Sequence, residues 1–181
     1  RINRTPTTMK HFTSVQDVKH PQSLVEQTLE IKTNGHRSEV GQDKTLALIF
    51  FNPSLRTRLS TQKAATNLGM DVIVMNINKD GWNIEFEDGS VMDGSTQEHI
   101  KDAVQVISGY CDIMGVRTFA NLKDPQEDYQ EKVLNKFVDH ATVPVISLES
   151  ATLHPLQSLT DLATIAESNI PKPNVVLSWA P

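Results

Sequence analysis

The chain has 181 residues, of which 38% are hydrophobic and 22% charged, and its net charge is −5 at neutral pH. This composition excludes an intrinsically disordered chain, since there is enough apolar material for a packed core, and the acidic balance argues against a general nucleic-acid binder. The single cysteine, Cys111, excludes an intramolecular disulfide and a cysteine-based zinc site, so we expect a reducing, cytoplasmic compartment.

Extended and helical patterns alternate along the chain. Short apolar runs typical of strands buried on both faces occur at Thr45–Phe51, Asp71–Asn76, Cys111–Val116, Val143–Leu148 and Asn174–Trp179. Apolar residues at helical spacing occur after Pro21, from about Leu55 to Leu68, and over Ile100–Ile107, Val133–Val138 and Leu156–Ala166. This alternation predicts an α/β fold in which a parallel sheet is flanked by helices.

Both ends and one connection fall outside this pattern. Residues 1–8 have no hydrophobic period, and we expect them to be a tail or an expression scar. About twenty residues between Asn78 and Glu98 show little helical pattern, although residues 84–91 could hold short strands. Loops of that length are usually functional or disordered. The sequence stops at Pro181 directly after a predicted strand, so we expect a longer protein. No apolar run is long enough for a membrane span, and no signal peptide is expected.

Polar side chains follow three of the predicted strands. Ser54, Arg56, Thr57 and Arg58 follow the first strand, Arg117 follows the third, and Glu149, His154 and Gln157 follow the fourth. In open parallel sheets, ligands bind outside the carboxyl ends of the strands. We therefore expect cationic groups, hydroxyls and an amide to converge on one anion at this edge of the sheet.

The segment 52–58, NPSLRTR, links the first strand to a predicted helix. Free N–H groups at a helix N-terminus attract anions, and the helix dipole adds to this attraction. Ser54 and Thr57 can donate hydroxyls, and the fork of Arg56 suits phosphate oxygens. The alternative is that Ser54 only caps the helix and the arginines are solvated. The position directly after a buried strand favours the anion site.

The other candidates also have purely structural alternatives. Arg117, taken alone, is typical of a surface charge at a strand end. Pro155 favours the first position of a helix, so His154 could simply cap that helix. Glu149 could be an ordinary carboxylate that precedes a helix.

Three segments together resemble the aspartate and ornithine carbamoyltransferases. FNPSLRTR at 51–58 resembles the phosphate-binding signature of that family, and GVR at 115–117 and HPLQ at 154–157 resemble its other carbamoyl phosphate motifs. The resemblance runs from about Met9 to Pro181. The loop segments GWNIEF at 81–86 and VMDG at 91–94, followed by Glu98-His99, are most similar to the branch that acts on N-acylated ornithine.

This resemblance implies a role for each candidate. Ser54, Leu55 (through its main chain), Arg56 and Thr57 would bind the phosphate of carbamoyl phosphate, and Arg117, His154 and Gln157 would hold its carbamoyl end. Trp82 would reach from one subunit of a homotrimer into its neighbour's site, and Glu149 would contact the acylornithine. Arg56, Arg117 and His154 would stabilise developing negative charge. Neither a metal nor an organic cofactor is implied.

The family fold implies two α/β domains. Residues 9–153 would form the carbamoyl phosphate-binding domain, and residues 154–181 the crossover helix and first strand of an ornithine-binding domain that continues beyond Pro181. The implied activity is carbamoyl transfer to the δ-amine of an N-acylornithine, in arginine biosynthesis. Alternatives are an aspartate or plain ornithine carbamoyltransferase, and a non-catalytic anion-binding domain.

In the N-acylornithine branch, the residue after Thr96 discriminates between acyl groups: glutamate goes with acetyl, and proline with succinyl. This chain has Gln97, which matches neither. A glutamate would repel the extra carboxylate of a succinyl group, whereas a neutral amide can donate a hydrogen bond to it. We therefore predict N-succinylornithine as the substrate, with N-acetylornithine as the alternative.

Overall fold

A computed structural model describes residues 9–35, 37–77, 79–81 and 83–178. Within these ranges it contains six α-helices and six strands. The helices are α1 (Pro21–Asn34), α2 (Arg56–Asn67), α3 (Ile100–Ser108), α4 (Pro125–Tyr129), α5 (Lys132–His140) and α6 (Pro155–Glu167). The strands are β1 (Thr45–Phe50), β2 (Asp71–Asn76), β3 (Ile84–Glu85), β4 (Glu98–His99), β5 (Ile113–Arg117) and β6 (Val145–Glu149).

Four strands form one parallel sheet in the order β2-β1-β5-β6, and β3 and β4 pair separately. The predicted parallel sheet is therefore confirmed. The central strands β1 and β5 pair so that Phe50 lies opposite Arg117 at their carboxyl ends. This register brings the segments that follow the two strands to the same edge of the sheet.

Side chains of β1 alternate between the two faces of the sheet, as the pleat requires. Ala47 and Ile49 face a core shared with Val104 of α3 and Phe137 of α5. Leu46, Leu48 and Phe50 face a second core that includes Ala65 of α2 and Leu156 of α6. Both faces of the sheet are covered by helices, which explains why β1 is an almost uninterrupted apolar run.

Two glycines meet specific needs of this fold. Gly69 has φ +79°, in the left-handed region, where it ends the turn after α2. Gly115 of β5 lies between two buried leucines, and an added Cβ would come within 2.9 Å of Leu48 Cδ2. The glycine of the GVR segment therefore allows close packing on the face that leads to the site.

One predicted element is not formed. The expected strand at Asn174–Trp179 is irregular over residues 174–178, and Trp179 lies outside the described residues. The side chains of Val175, Val176 and Leu177 are 64%, 88% and 98% exposed. An apolar run becomes a strand only where a partner strand takes up its backbone hydrogen bonds, and none of the described strands pairs with it. None of the helices described is long and apolar enough to cross a membrane.

Candidate active site at the carboxyl edge of the sheet

A cleft of about 720 Å³ opens where β1, β5 and β6 end. Among the described residues it contains every predicted anion-binding residue except Arg58, together with Glu149. Arg58 does not join them, and its Nη1 donates to Asn76 Oδ1 at 3.2 Å. Its lining consists of Pro53, Ser54, Leu55, Arg56, Thr57, Ser60, Thr61, Arg117, Glu149, His154, Leu156, Gln157 and Thr160. Arg56 and His154 thus lie on one cleft, as the convergence of strand ends predicts.

Arg117 is the most firmly held charge in the cleft, and it is only 7% exposed. Its Nη1 donates to the carbonyl oxygens of Pro53 (2.8 Å) and Asn52 (3.3 Å). Its Nη2 donates to Glu149 Oε2 at 2.8 Å, and its Cζ lies 4.2 Å from the ring centroid of Phe119. Burying a guanidinium is costly unless it is paired, and these contacts supply the pairing. Arg117 is therefore a preorganised cationic group and not a solvated strand-end charge.

Glu149 reaches Arg117 because of an irregularity between β5 and β6. The pairing runs from Val116–Ser147 to Arg117–Glu149, so that Leu148 is skipped. Strict alternation would send the Glu149 side chain to the face occupied by Val145 and Ser147, away from Arg117. Bulges of this kind re-aim side chains beside functional sites. The carboxylate consequently lies between two cleft groups, with Oε2 also 4.0 Å from His154 Nε2.

His154 precedes α6 and caps it, as one of the sequence interpretations held. Its Nδ1 accepts a hydrogen bond from the Gln157 backbone N–H at 3.3 Å. An accepting Nδ1 carries no proton, so the neutral ring carries its proton on Nε2, on the side of Glu149. His154 therefore serves both purposes: one ring nitrogen ends the helix, and the other is a hydrogen-bond donor at the cleft.

The segment after β1 leaves its anion-binding groups uncommitted. The N-cap position of α2 is Leu55, with no capping side chain, and the first turn holds no acidic residue. Over the described part of the chain, neither the Ser54 hydroxyl nor the Arg56 guanidinium has a hydrogen-bond or ion-pair partner. Ser54 therefore does not cap the helix, and the free N–H groups of α2 remain available to an anion.

Further lining residues were not singled out from the sequence. Ser60 and Thr61 follow Thr57 by three and four positions on α2, and Thr160 follows Leu156 by four on α6. Helical periodicity was the signal that could have found them, because residues at these spacings share a helix face. No three His, Cys, Asp or Glu side chains in the described ranges are grouped closely enough to hold a metal ion.

Two predicted residues, Trp82 and Gln97, lie in the long connection. Trp82 lies outside the described residues. Gln97 is exposed, is absent from the cleft lining, and donates its backbone N–H to the Asn83 carbonyl at 3.1 Å. Gln97 therefore does not line the cleft that contains Arg117.

Asp88 joins the long connection between β2 and α3 to the rest of the domain through ion pairs. Its Oδ1 lies 2.8 Å from Lys101 Nζ, its Oδ2 lies 2.6 Å from Lys136 Nζ, and His99 Nε2 is 3.9 Å from Oδ1. The hydrogen bonds from Lys101 and then Lys136 hold the pKa of Asp88 well below its usual range. This one carboxylate thus links the connection to α3 and α5.

The fold and the cleft together define an α/β domain with cationic side chains and hydroxyls gathered at the carboxyl edge of its parallel sheet. Comparison with known protein families gives the particular class. The model of the carbamoyl-P binding domain of the aspartate/ornithine carbamoyltransferases matches residues 10–167, and the chain belongs to this family.

Individual relatives show similarity along almost the whole chain. The N-succinylornithine carbamoyltransferase of Bacteroides fragilis (strain 638R) is 51% identical over 175 residues, which cover 96% of this chain and 55% of the relative. The N-acetylornithine carbamoyltransferase of Xanthomonas axonopodis pv. citri (strain 306) is 38% identical over 177 residues, which cover 94% of this chain and 51% of the relative. The chain thus spans about half the length of the curated relatives it matches.

Solved structures share the fold. A mutant of N-acetyl-L-ornithine transcarbamylase complexed with carbamyl phosphate and N-succinyl-L-norvaline has a TM-score of 0.82 and 40% identity, over 88% of this chain and 48% of the other. Acetylornithine transcarbamylase complexed with acetylcitrulline gives the same TM-score and identity over the same shares of the two chains.

Proposed function

We propose that this chain is the carbamoyl phosphate-binding part of an N-succinylornithine carbamoyltransferase. The observation that carries the proposal is the single cleft that Arg56, Arg117 and His154 share at the ends of three strands. The choice of acceptor is supported by the relative of that name at 51% identity and by the neutral side chain of Gln97.

In this proposal residues 9–153 form the carbamoyl phosphate domain, and residues 154–181 lead into the ornithine-binding domain. The complete enzyme works in the cytoplasm as a homotrimer, in which Trp82 of one subunit reaches a neighbour's cleft. Gln97 acts there in the same way, which fits its position away from the cleft of its own subunit.

The phosphate group binds where β1 meets α2. Ser54 and Thr57 donate hydroxyls, the main chain at Leu55 donates an N–H, and Arg56 supplies a planar fork with two parallel donors. The helix dipole of α2 favours the same charge. Arg117, His154 and Gln157 hold the carbamoyl end. The two halves of the substrate are therefore bound by different elements: the phosphate by the segment between β1 and α2, and the carbamoyl group by the end of β5 and the start of α6.

Transfer begins when the neutral δ-amine of the acylornithine attacks the carbamoyl carbon. A C–N bond forms, the C–O bond to phosphate breaks, and negative charge develops on the carbonyl oxygen and on the departing phosphate. The attacking amine releases one proton, which the departing phosphate accepts. Arg56, Arg117 and the Nε2–H of His154 stabilise that charge, and losing one such donor typically costs about 10²–10³ in rate. Because these side chains supply donors and positive charge directly, the proposal needs neither a metal nor an organic cofactor.

Glu149 contacts the acylornithine in this scheme. Its Oε2 is engaged by Arg117, whereas its Oε1 has no hydrogen-bond partner among the described residues. One carboxylate can therefore anchor the arginine and still accept a hydrogen bond from the second substrate.

Steady-state assays of the complete enzyme with both acylornithines test the proposed activity. We expect N-succinylornithine to give the higher kcat/KM, and Gln97→Glu to shift the preference toward N-acetylornithine by roughly 1 kcal/mol or more, because like charges then face each other. The control is Gln126→Glu, which adds the same charge on α4. A wild-type preference for N-acetylornithine would favour the second candidate, an N-acetylornithine carbamoyltransferase, which is the activity named for the two solved structures compared above. Absence of turnover with either acceptor would leave only an anion-binding domain.

A further inference from the structure

The turn that joins Glu149 to His154 is organised by a carboxylate from another part of the chain. Glu131 Oε1 accepts hydrogen bonds from Ser150 Oγ (2.7 Å), from the Thr152 backbone N–H (2.8 Å) and from Thr152 Oγ1 (2.6 Å). Its Oε2 accepts from the backbone N–H of Ala151 at 3.1 Å. Four donors from three consecutive residues therefore meet on one side chain.

The same turn is closed by Ser150, which is buried. The Ser150 N–H donates to the Leu153 carbonyl at 2.8 Å, and the Leu153 N–H donates back to Ser150 Oγ at 3.2 Å. His154 is the next residue. The backbone path between the two cleft side chains is thus fixed at Ser150 by Glu131 and at Leu153 by Ser150.

The side chain of Glu131 does not cap α5, the helix that it precedes. It occupies the N-cap position of α5, yet its side chain makes no capping hydrogen bond. Its backbone is in the left-handed region, with φ 48°, which a residue with a Cβ adopts only at some cost. Strained positions of this kind persist where the surroundings over-determine them and cluster at functional sites. Glu131 therefore has a left-handed backbone and leaves α5 without a side-chain cap, while its carboxylate binds the turn after β6.

We infer that Glu131 is a positioning residue for the carbamoyl phosphate cleft, acting through His154 and Glu149. This inference rests on the proposed function, because it assigns to Glu131 the placement of groups that bind carbamoyl phosphate. Charge-assisted hydrogen bonds from four donors fix the turn before ligand arrives, so less order has to be gained on binding. Glu131 itself does not line the cleft.

The test compares Glu131→Gln with Glu127→Gln. Glutamine places an N–H₂ group where Oε2 faces the Ala151 N–H, so that two donors oppose each other. Glu127 lies four residues earlier, on α4, is exposed and pairs with Lys132 at 3.5 Å. Its variant makes the same chemical change, and its side chain makes no hydrogen bond to the turn. Two readouts are followed: carbamoyl phosphate affinity by calorimetry, and the ¹⁵N signals of the His154 ring, assigned by their loss in His154→Gln.

For wild type and Glu127→Gln we expect His154 to show the Nε2–H form, with Nδ1 accepting from Gln157. For Glu131→Gln we expect averaged ring signals and carbamoyl phosphate binding that is weakened at least about tenfold. For comparison, misplacing a reacting group by about an ångström typically lowers the rate roughly 10²-fold. A merely stabilising role would lower Tm and leave the ring signals as they are. If Glu131→Gln keeps either the wild-type affinity or the wild-type ring signals, the inference is overturned.

The role of Glu131 can still be tested if wild type does not bind carbamoyl phosphate or if Glu131→Gln does not fold. If wild type itself fails to bind carbamoyl phosphate, the proposed function falls, and the His154 ring signals alone decide the role of Glu131. If Glu131→Gln does not fold, Thr152→Val replaces it, since that change removes one hydroxyl donor and keeps the carboxylate. Thr152→Val is then expected to move both readouts in the same direction by smaller amounts, and an unchanged Thr152→Val overturns the inference.

Discussion

The contacts of Arg117 show how a buried guanidinium is stabilised and held in one position. Two backbone carbonyls, one carboxylate and one aromatic face surround its guanidinium, so the charge is held without a bound ligand. A group fixed in this way loses little conformational entropy when an anion arrives. The carbonyls belong to Asn52 and Pro53, so the same contacts also fix the start of the phosphate-binding segment.

Replacing Arg117 with alanine should weaken carbamoyl phosphate binding by at least about 1 kcal/mol, because hydrogen bonds to charged groups contribute about 1.5–3 kcal/mol. The variant should also lose stability, since Glu149 is left half-buried without its partner. Calorimetry and denaturant unfolding measure the two effects. Arg37→Ala, which removes an exposed arginine that does not line the cleft, is the control. Affinity unchanged in Arg117→Ala would remove this residue from the site.

At the residue scale, the sequence predicted which side chains share the cleft but not how they are held. Strand ends place Ser54, Arg117 and His154 from local pattern alone, because parallel strands finish at one edge of a sheet. The pairing of Arg117 with Glu149 depends on a register shift that no local pattern records. Glu131 was missed for a similar reason: its contacts span about twenty residues of sequence.

Elements were predictable where they are long and periodic. Strands β1, β2, β5 and β6 and helices α1, α2, α3, α5 and α6 were all expected, with shifts of one or two residues at some ends. The five-residue α4 is too short to show a helical period, and β3 and β4 have two residues each. The expected strand at 174–179 shows the opposite error, since an apolar run without a partner strand stays irregular over its described residues.

The connection between β2 and α3 should depend on Asp88 in a pH-dependent way. Because the pKa of Asp88 is depressed in the folded protein, its ion pairs stabilise the fold above the ordinary value of 3.8 and are lost as the pH falls from there. The stability gap between wild type and Asp88→Asn should therefore be constant at neutral pH and shrink progressively below about pH 5.

Denaturant unfolding at a series of pH values measures that gap. Asp93→Asn is the matched control, since Asp93 is exposed in the same connection and makes no side-chain hydrogen bond or ion pair with a described residue. A gap between wild type and Asp88→Asn that widens in acid would contradict the assignment of these ion pairs.

At the scale of the whole molecule, the two cores have different relations to the site. The core under α3 and α5 packs against the long connection through Ile84 and Phe86. The core under α2 and α6 leads directly to the cleft, because the first turns of those two helices form its lining. Both helices begin at the carboxyl edge, so two helix N-termini flank the same cleft and add positive potential to that of the arginines.

A crystal structure of the protein with bound carbamoyl phosphate tests the central claim most directly. We expect one ligand molecule in the cleft, with phosphate oxygens at about 3 Å from donors of Ser54, Arg56 and Thr57. Its carbamoyl group should contact Arg117 and the Nε2 side of His154. Ligand bound elsewhere, or bound in the cleft with the Arg56 guanidinium turned to solvent away from His154, would contradict it.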